Sequence, residues 1–314
     1  MGGTADSEAR AGAGTEVTAV IVNFDSGNRL PRLLENLKPQ VDHVVVVDNA
    51  STDGSPSAAQ NRDWITLIRN GSNLGFAAAA NQGAASATSE WVLFVNPDTR
   101  ADHGLIRRLV AHVPDDVAAV APVQVDDSGT PLMETGGHDP SLVRYAAWAV
   151  IPGRIGGQRG PWLAPPFPQA DFFCDWVSGA FMAVRREAFE RVHGFDERFF
   201  LYQEDVDLCR RLRTGGSRVM CRGWLEISHE VGQGDRKRRA ISAARSVAPL
   251  ASRFETRFGR RTLGAILTVG LGLRSFFPSR GVAARAALPE ALKLLKTGEV
   301  PELHPVPGRP QPQY

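Results

Sequence analysis

The chain has 314 residues, 43% of them hydrophobic and 22% charged, with a formal net charge of +2. That balance belongs to a soluble globular protein with room for one large domain and a smaller appendage. Its three cysteines, Cys174, Cys209 and Cys221, are odd in number and form no C-x-x-C pair, which excludes a disulfide framework and suits a reducing, cytoplasmic compartment.

Residues 1–15 are small, polar and Gly/Ala-rich, lack the apolar core of a signal peptide, and are expected to be disordered. Residues 17–22 (VTAVIV) make a buried-strand run, and residues 28–38 read as a helix with Pro31 in its first turn. A second strand follows at 43–47 (HVVVV) and a short third at 65–68. An Ala-rich helix occupies 76–88, a fourth strand 91–95 (WVLFV), and another helix 103–112. Apolar strands separated by helices predict an α/β fold, a mainly parallel sheet covered by helices on both faces.

Ligands of such sheets sit beyond the carboxyl ends of the strands. Those ends are polar in every case: Asn23-Phe24-Asp25, then Asp48 through Gly54, then Arg69-Asn70 with Asn73-Leu74-Gly75-Phe76, and Asn96-Pro97-Asp98. Asn, Asp and Gly are ordinary turn residues, so one such loop says little. Four on one edge mark a binding site.

From about 131 to 171 regularity fades into Gly/Pro-rich sequence, the length of a functional or disordered loop. Regular signals return at 176–184, with a helix at 186–192 and a short strand at 224–228. Between Arg236 and Arg261, nine Lys/Arg residues outnumber a single acid, Glu255. Such a stretch suits an anionic membrane surface or another polyanion, and equally a solvated helix face. The apolar run at 263–273 is far shorter than the roughly 20 residues needed to cross a bilayer core. Residues 301–314 hold five prolines and read as a tail.

Asp98 stands on a rigid turn after an apolar strand, where a carboxylate suits Mg²⁺ or Mn²⁺ bridging diphosphate oxygens. A plain Pro-Asp turn has the same residues. Glu204, Asp205 and Asp207 open a helix that carries Arg210, Arg211 and Arg213 before Gly215-Gly216 ends it. Acids first and bases last complement the helix dipole without any function. The same field favours Asp205 as an anion ready to take a proton from a sugar hydroxyl. Its spacing to Leu208, Cys209 and Leu212 puts it on the buried side of the helix. Among seven histidines, His229 is best placed as a further metal or phosphate ligand.

Residues 20–37 (VIVNFDSGNRLPRLLENL), 44–55 (VVVVDNASTDGS), 73–83 (NLGFAAAANQG) and 91–99 (WVLFVNPDT) resemble the nucleotide-binding half of family-2 glycosyltransferases with the GT-A fold. Residues 175–216 (DWVSGAFMAVRREAFERVHGFDERFFLYQEDVDLCRRLRTGG) resemble the acceptor half of their rhamnosyltransferase branch, and the C-terminal part is similar to actinobacterial members acting in cell-wall linker synthesis. The resemblance covers roughly 17–230. It implies a GT-A domain at 16–235, divided into a nucleotide-binding half (16–130) and an acceptor half (131–235). A basic helical membrane-associating region at 236–300 and the tail would follow.

Carried over by position, Asp48 is implied to contact the donor's base, with Asn23 and Asp25 near the same nucleoside and Asn73 and Asn96 also lining the donor. Asp98 matches the metal-binding acid of the DxD motif, His229 a second metal ligand, and Asp205 the catalytic base of the ED motif. Asp175, Trp176, Gly179 and Glu204 are implied to meet the acceptor. Asn96 departs from the pattern: many members have an Asp there, and Asn brings no charge to a metal.

The implied reaction is an inverting, Mg²⁺- or Mn²⁺-dependent transfer of L-rhamnose from dTDP-β-L-rhamnose to polyprenyl-diphosphate-linked N-acetylglucosamine. It would take place at the inner face of the plasma membrane. No nucleic-acid partner is expected, and the oligomeric state is left open. A nucleotidyltransferase would show a Gly-rich basic loop where residues 23–30 read NFDSGNRL. A silent nucleotide-sugar-binding protein would not need Glu204-Asp205 or His229. A sister enzyme using a UDP-sugar stays open.

Overall fold

The computed structural model describes residues 15–150, 161–163, 165–230, 251, 256–275 and 281–299. The two tails and the 236–250 part of the basic stretch, with the expectations attached to them, lie outside the described residues.

Strands β1 (Val17–Asn23), β2 (His43–Asp48), β3 (Ile65–Arg69) and β4 (Trp91–Val95) run parallel in the order β3-β2-β1-β4. Strand alternation sorts their side chains between two cores. Val44 and Val46 join α1 (Arg29–Leu37) and α3 (Leu105–Val110) on one face. Val45 and Val47 join α2 (Phe76–Ala84) on the other. Helix α1 forms because Leu30, Leu33, Leu34 and Leu37 recur at helical spacing, and all four are buried.

Beyond β4 the sheet becomes mixed. Strand β10 (Phe181–Arg185) pairs antiparallel with both β4 and β6 (Val117–Val125). Strand β6 runs parallel to β11 (Arg218–His229), whose far edge carries β5 (Thr99–Ala101) and β8 (Asp171–Cys174), both antiparallel. Among the described residues this sheet has nine strands, and a separate two-stranded ladder joins β7 (Gly136–Gly137) to β9 (Trp176–Val177). Strand β6 is not among the elements expected from the sequence, although its run VAAVAPVQV is buried throughout. Helices α5 (Arg186–Arg191) and α6 (Glu204–Thr214) cover the same face as α2, around a ring cluster of Phe94, Phe189 and Phe195.

The expected irregular stretch at 131–171 contains a helix, α4 (Leu142–Val150). Its Tyr145 is buried with Leu263 and Leu267 of α7 (Arg257–Ser275) and with Ala287, Ala291 and Leu294 of α8 (Gly281–Thr297). The limit drawn at 235 therefore does not separate two cores, because α4, inside the expected acceptor half, shares its core with the C-terminal helices. A Cβ on Gly264 would stand 2.4 Å from the Leu295 backbone nitrogen, so α7 and α8 touch backbone to backbone. No helix among the described residues is long and apolar enough to cross a membrane.

Candidate active site

The ends of β1 and β2 lie side by side, in register at Asn23 and Asp48. Asn23 is fully buried, and its Nδ2 lies 3.0 Å from Asp48 Oδ1, Ser51 Oγ and Ser55 Oγ. The Ser51 hydroxyl donates to Asp48 Oδ1 at 2.6 Å, and the Ser26 hydroxyl donates to Asn23 Oδ1. Asn23 is thus occupied in holding Asp48 and its loop, a supporting place rather than an open contact. Asp25 takes a left-handed backbone, and its Oδ1 accepts the Thr52 N–H at 2.8 Å, which binds the β1 and β2 loops together.

Asn73 accepts the Gly75 N–H at 2.9 Å and shapes the turn into α2. Asn49 donates to the Gly75 carbonyl at 3.0 Å, and the Phe76 N–H donates to the Phe200 carbonyl at 2.7 Å. Gly75 has φ +87°, and a Cβ there would lie 2.5 Å from the Phe200 oxygen. Only glycine permits both the backbone and the approach. Asn81 reinforces the same strap, donating to the Phe195 carbonyl and accepting the Phe195 N–H, each at 2.9 Å.

That strap ends at α6. Two consecutive non-glycine residues before it, Tyr202 and Gln203, adopt positive φ, a conformation that persists only when its surroundings impose it. Asp205 Oδ2 accepts the Gly179 N–H at 3.0 Å, and Oδ1 accepts the Val206 N–H at 2.8 Å. The next residue in the turn, Ala180, accepts the Asn96 N–H at 2.9 Å. A single turn, 178–180, therefore joins the Asn96-Pro97-Asp98 loop to Asp205.

Burial along α6 differs from the expectation. Glu204 is the buried acid, 5% exposed, while Asp205 is only half-buried. Glu204 heads the row Glu204, Leu208, Leu212 that faces the core, and its Oε2 has no hydrogen-bond partner. Burial, helped by the neighbouring Asp205, pushes the Glu204 carboxyl well above its ordinary range. Of the other expected acceptor contacts, Trp176 is buried and donates its indole N–H to the His138 carbonyl at 3.1 Å. Asp175 accepts the Asp139 N–H at 2.9 Å and pairs with Arg213 at 3.3 Å. Both brace the 136–139 segment in this structure.

Asp98 and His229 come together because β5 pairs with the end of β11. His229 Nε2 stands 3.3 Å from Asp98 Oδ1, a buried oxygen without a hydrogen-bond partner. His229 Nδ1 lies 2.7 Å from Gln124 Oε1. With its proton on Nδ1, donated to that oxygen, the ring turns the Nε2 lone pair toward the orphaned carboxylate oxygen. Two lone-pair donors facing each other fit a small divalent cation between them, and the Gln124 contact is the support such a histidine needs. Among the described residues no group of three His, Cys, Asp or Glu side chains assembles, so this pair alone would leave positions for donor oxygens and water. Gln124 is not among the expected site residues; a glutamine in an otherwise apolar strand is the sequence signal that marks it. A cavity of about 150 Å³ opens beside Asp98, lined in part by Arg29, Arg32 and Arg100. Glu230 holds Arg29 at 3.0 Å.

The polar sheet edge at the ends of β1, β2 and β4 is thus joined by one turn to the acid at the start of α6. The family model described as Glycosyl transferase family 2 matches residues 18–192, and the chain belongs to that family. It is 33% identical over 235 residues to the N-acetylglucosaminyl-diphospho-decaprenol L-rhamnosyltransferase of Mycobacterium tuberculosis, covering 68% of this chain and 73% of the relative. It is 28% identical to rhamnosyltransferase WbbL of Escherichia coli K12, covering 65% and 79% of the two chains. Among solved structures, the mannosyltransferase PcManGT of Pyrobaculum calidifontis, in complex with GDP-Man and Mn²⁺, superposes with a TM-score of 0.52 at 22% identity. That match covers 88% of this chain and 75% of the other, and it shows the shared fold.

Proposed function

We propose that this glycosyltransferase moves L-rhamnose from dTDP-β-L-rhamnose onto a polyprenyl-diphosphate-linked N-acetylglucosamine, with inversion at the anomeric carbon. The observation that carries the chemistry is the 178–180 turn, which ties the Asp98 loop and Asp205 to one rigid segment. The sugar and acceptor are supported by the names of the two rhamnosyltransferase relatives and by the first one's acceptor.

In this reading Asp48 and Asp25, held by Asn23, Ser51 and Thr52, receive the nucleoside at the ends of β1 and β2. Asp98 and His229 would hold Mg²⁺ or Mn²⁺. Bound there, the cation supplies positive charge against the leaving nucleoside diphosphate. Asp205 takes the proton from the acceptor hydroxyl, its carboxylate kept in orientation by the Gly179 and Val206 N–H groups. The hydroxyl oxygen bonds to the anomeric carbon as the bond to the diphosphate breaks on the opposite face, in one displacement. Burial pushes Glu204 toward its neutral form, which disfavours a second negative charge beside the base. The lipid chain of the acceptor keeps the reaction at the cytoplasmic face of a membrane.

The test is a donor panel of dTDP-rhamnose and several UDP- and GDP-sugars, assayed by released nucleotide with a short-chain diphospho-N-acetylglucosamine acceptor. Acceptor-dependent release from dTDP-rhamnose at least about tenfold faster than from the others is expected, a discrimination of about 1.4 kcal/mol. Preference for a UDP-sugar would transfer the reading to the sister specificity.

A further inference from the structure

Helix α7 is packed on two sides and open on the third. Leu263 and Leu267 are buried against α4 and α8, and Gly264 admits the α8 backbone. The open side carries Phe258, Thr262, Ala265, Val269 and Leu273, whose spacing makes one stripe along a helix. Phe258 is 81% exposed, Leu273 53% and Val269 50%. These three large apolar side chains give α7 an apolar line on its outer side. Beside it runs an open groove of about 660 Å³, lined by Arg257, Phe258, Arg261, Thr262, Ala265 and Leu295.

Arg257 and Arg261 form the rim. Arg257 Nε donates to the Thr297 carbonyl at 2.7 Å, and Arg261 Nε donates to the Leu295 carbonyl at 3.1 Å. These bonds fix both guanidinium groups at the negative end of α8. Both side chains remain exposed, and their Nη donors make no further hydrogen bond among the described residues. Two pre-oriented guanidinium groups beside an apolar stripe match a ligand that is itself anionic at one end and apolar at the other. A sheet of phospholipid phosphates over acyl chains has that character, and a helix lying flat in the interface presents both features to it at once.

We propose that this face of α7 is the surface by which the protein lies on an anionic phospholipid bilayer, with Phe258, Val269 and Leu273 entering the interface and Arg257 and Arg261 meeting lipid phosphates. The assignment deepens the reading of a lipid-linked acceptor and rests on it for its purpose. It also narrows the membrane-associating region expected at 236–300. Leu263 and Leu267 belong to the protein core, so a stripe rather than the whole region meets lipid.

The experiment is flotation of the full chain with phosphatidylcholine vesicles, with and without phosphatidylglycerol, at low and high salt. Binding should require phosphatidylglycerol, weaken with salt, and resist millimolar inorganic phosphate. The double variant Phe258→Ser/Val269→Ser should bind at least about tenfold more weakly with an unchanged melting temperature, since both side chains are exposed. That variant should keep its turnover on a water-soluble short-chain acceptor and lose it on acceptor embedded in vesicles. Absence of transfer to any diphospho-N-acetylglucosamine acceptor would count against the rhamnosyl reading alone, because flotation needs no turnover. Unchanged flotation of the double variant, equal binding to neutral vesicles, or no binding by the full chain would overturn the assignment. So would a double variant that turns a dimer into a monomer without altering flotation, which would give the stripe to a second copy. Binding that appears only after removal of residues 300–314 would give it to the chain's own tail.

Discussion

Replacing Gly75 with alanine tests whether the donor half positions the base. The substitution carries two separable costs. With φ +87° and ψ 172°, Gly75 occupies a region essentially restricted to glycine, and an L-residue there loses roughly 1–3 kcal/mol. The new Cβ would also lie 2.5 Å from the Phe200 oxygen, whereas ordinary contact begins near 3.4 Å, so the two must part by the difference, 0.9 Å. The Phe76 to Phe200 hydrogen bond at 2.7 Å would be lost or stretched in doing so. Phe200 is five residues before Asp205, and a misplacement of about 1 Å at reacting groups can cost about 100-fold. We expect kcat to fall about 10- to 100-fold while calorimetric affinity for dTDP changes little, with a loss of about 2–3 kcal/mol in stability. Gly104→Ala is the control. Its φ of +73° and ψ of 3° are left-handed α, a milder setting for an L-residue than that of Gly75, and nothing lies within 4 Å of the added Cβ, so it carries a smaller backbone cost and no collision. It should lower the melting temperature by a few degrees and leave kcat alone. A Gly75→Ala enzyme that melts like the control and turns over within about twofold of the parent would refute a role for the strap in placing Asp205.

Asp205→Asn should lower kcat about 10²- to 10⁴-fold with donor affinity retained, measured by nucleotide release beside calorimetry; retention of a third of the parent rate would remove Asp205 from the base role. Asp98→Ala should weaken Mn²⁺-dependent dTDP binding most, and His229→Ala less. Gln124→Leu should weaken it about 10- to 100-fold through the histidine it supports, and unchanged titrations for all three would dissolve the proposed cation site. Glu204 is pushed above the 4.5 of an ordinary glutamate, so its contribution to stability is complete below about pH 4.5 and is lost as pH rises toward the folded value. Glu204→Gln cannot ionise, and its melting temperature relative to the parent should rise as the pH is raised above about 4.5, in buffers of one ionic strength. A difference that stays flat with pH would mean Glu204 is not held protonated.

The segments that sequence alone determined are those whose partners are close in the chain. The runs HVVVV and WVLFV need cover on both faces, and the helices between them supply it, so a parallel sheet and its polar edge follow from pattern. Asp98 after β4 and Asp205 at a helix start were legible for the same reason, since a strand end and a helix start are local events. Long-range pairing was not legible. Gln124 reaches His229 only because β6 lies beside β11, and Asp98 meets His229 only because β5 returns to the far edge of that strand. The exchange of roles on α6 has a similar origin. Helical periodicity groups Asp205 with Leu208, Cys209 and Leu212, yet Glu204 stands in one row with Leu208 and Leu212. The left-handed residues Tyr202 and Gln203 immediately precede the helix, and at its start Glu204 turns inward while Asp205 meets the Gly179 amide. Helix α4 took its place by burying Tyr145 against α7 and α8, far along the chain. Periodicity records which side of an element is apolar, and only the assembled fold decides what that side meets.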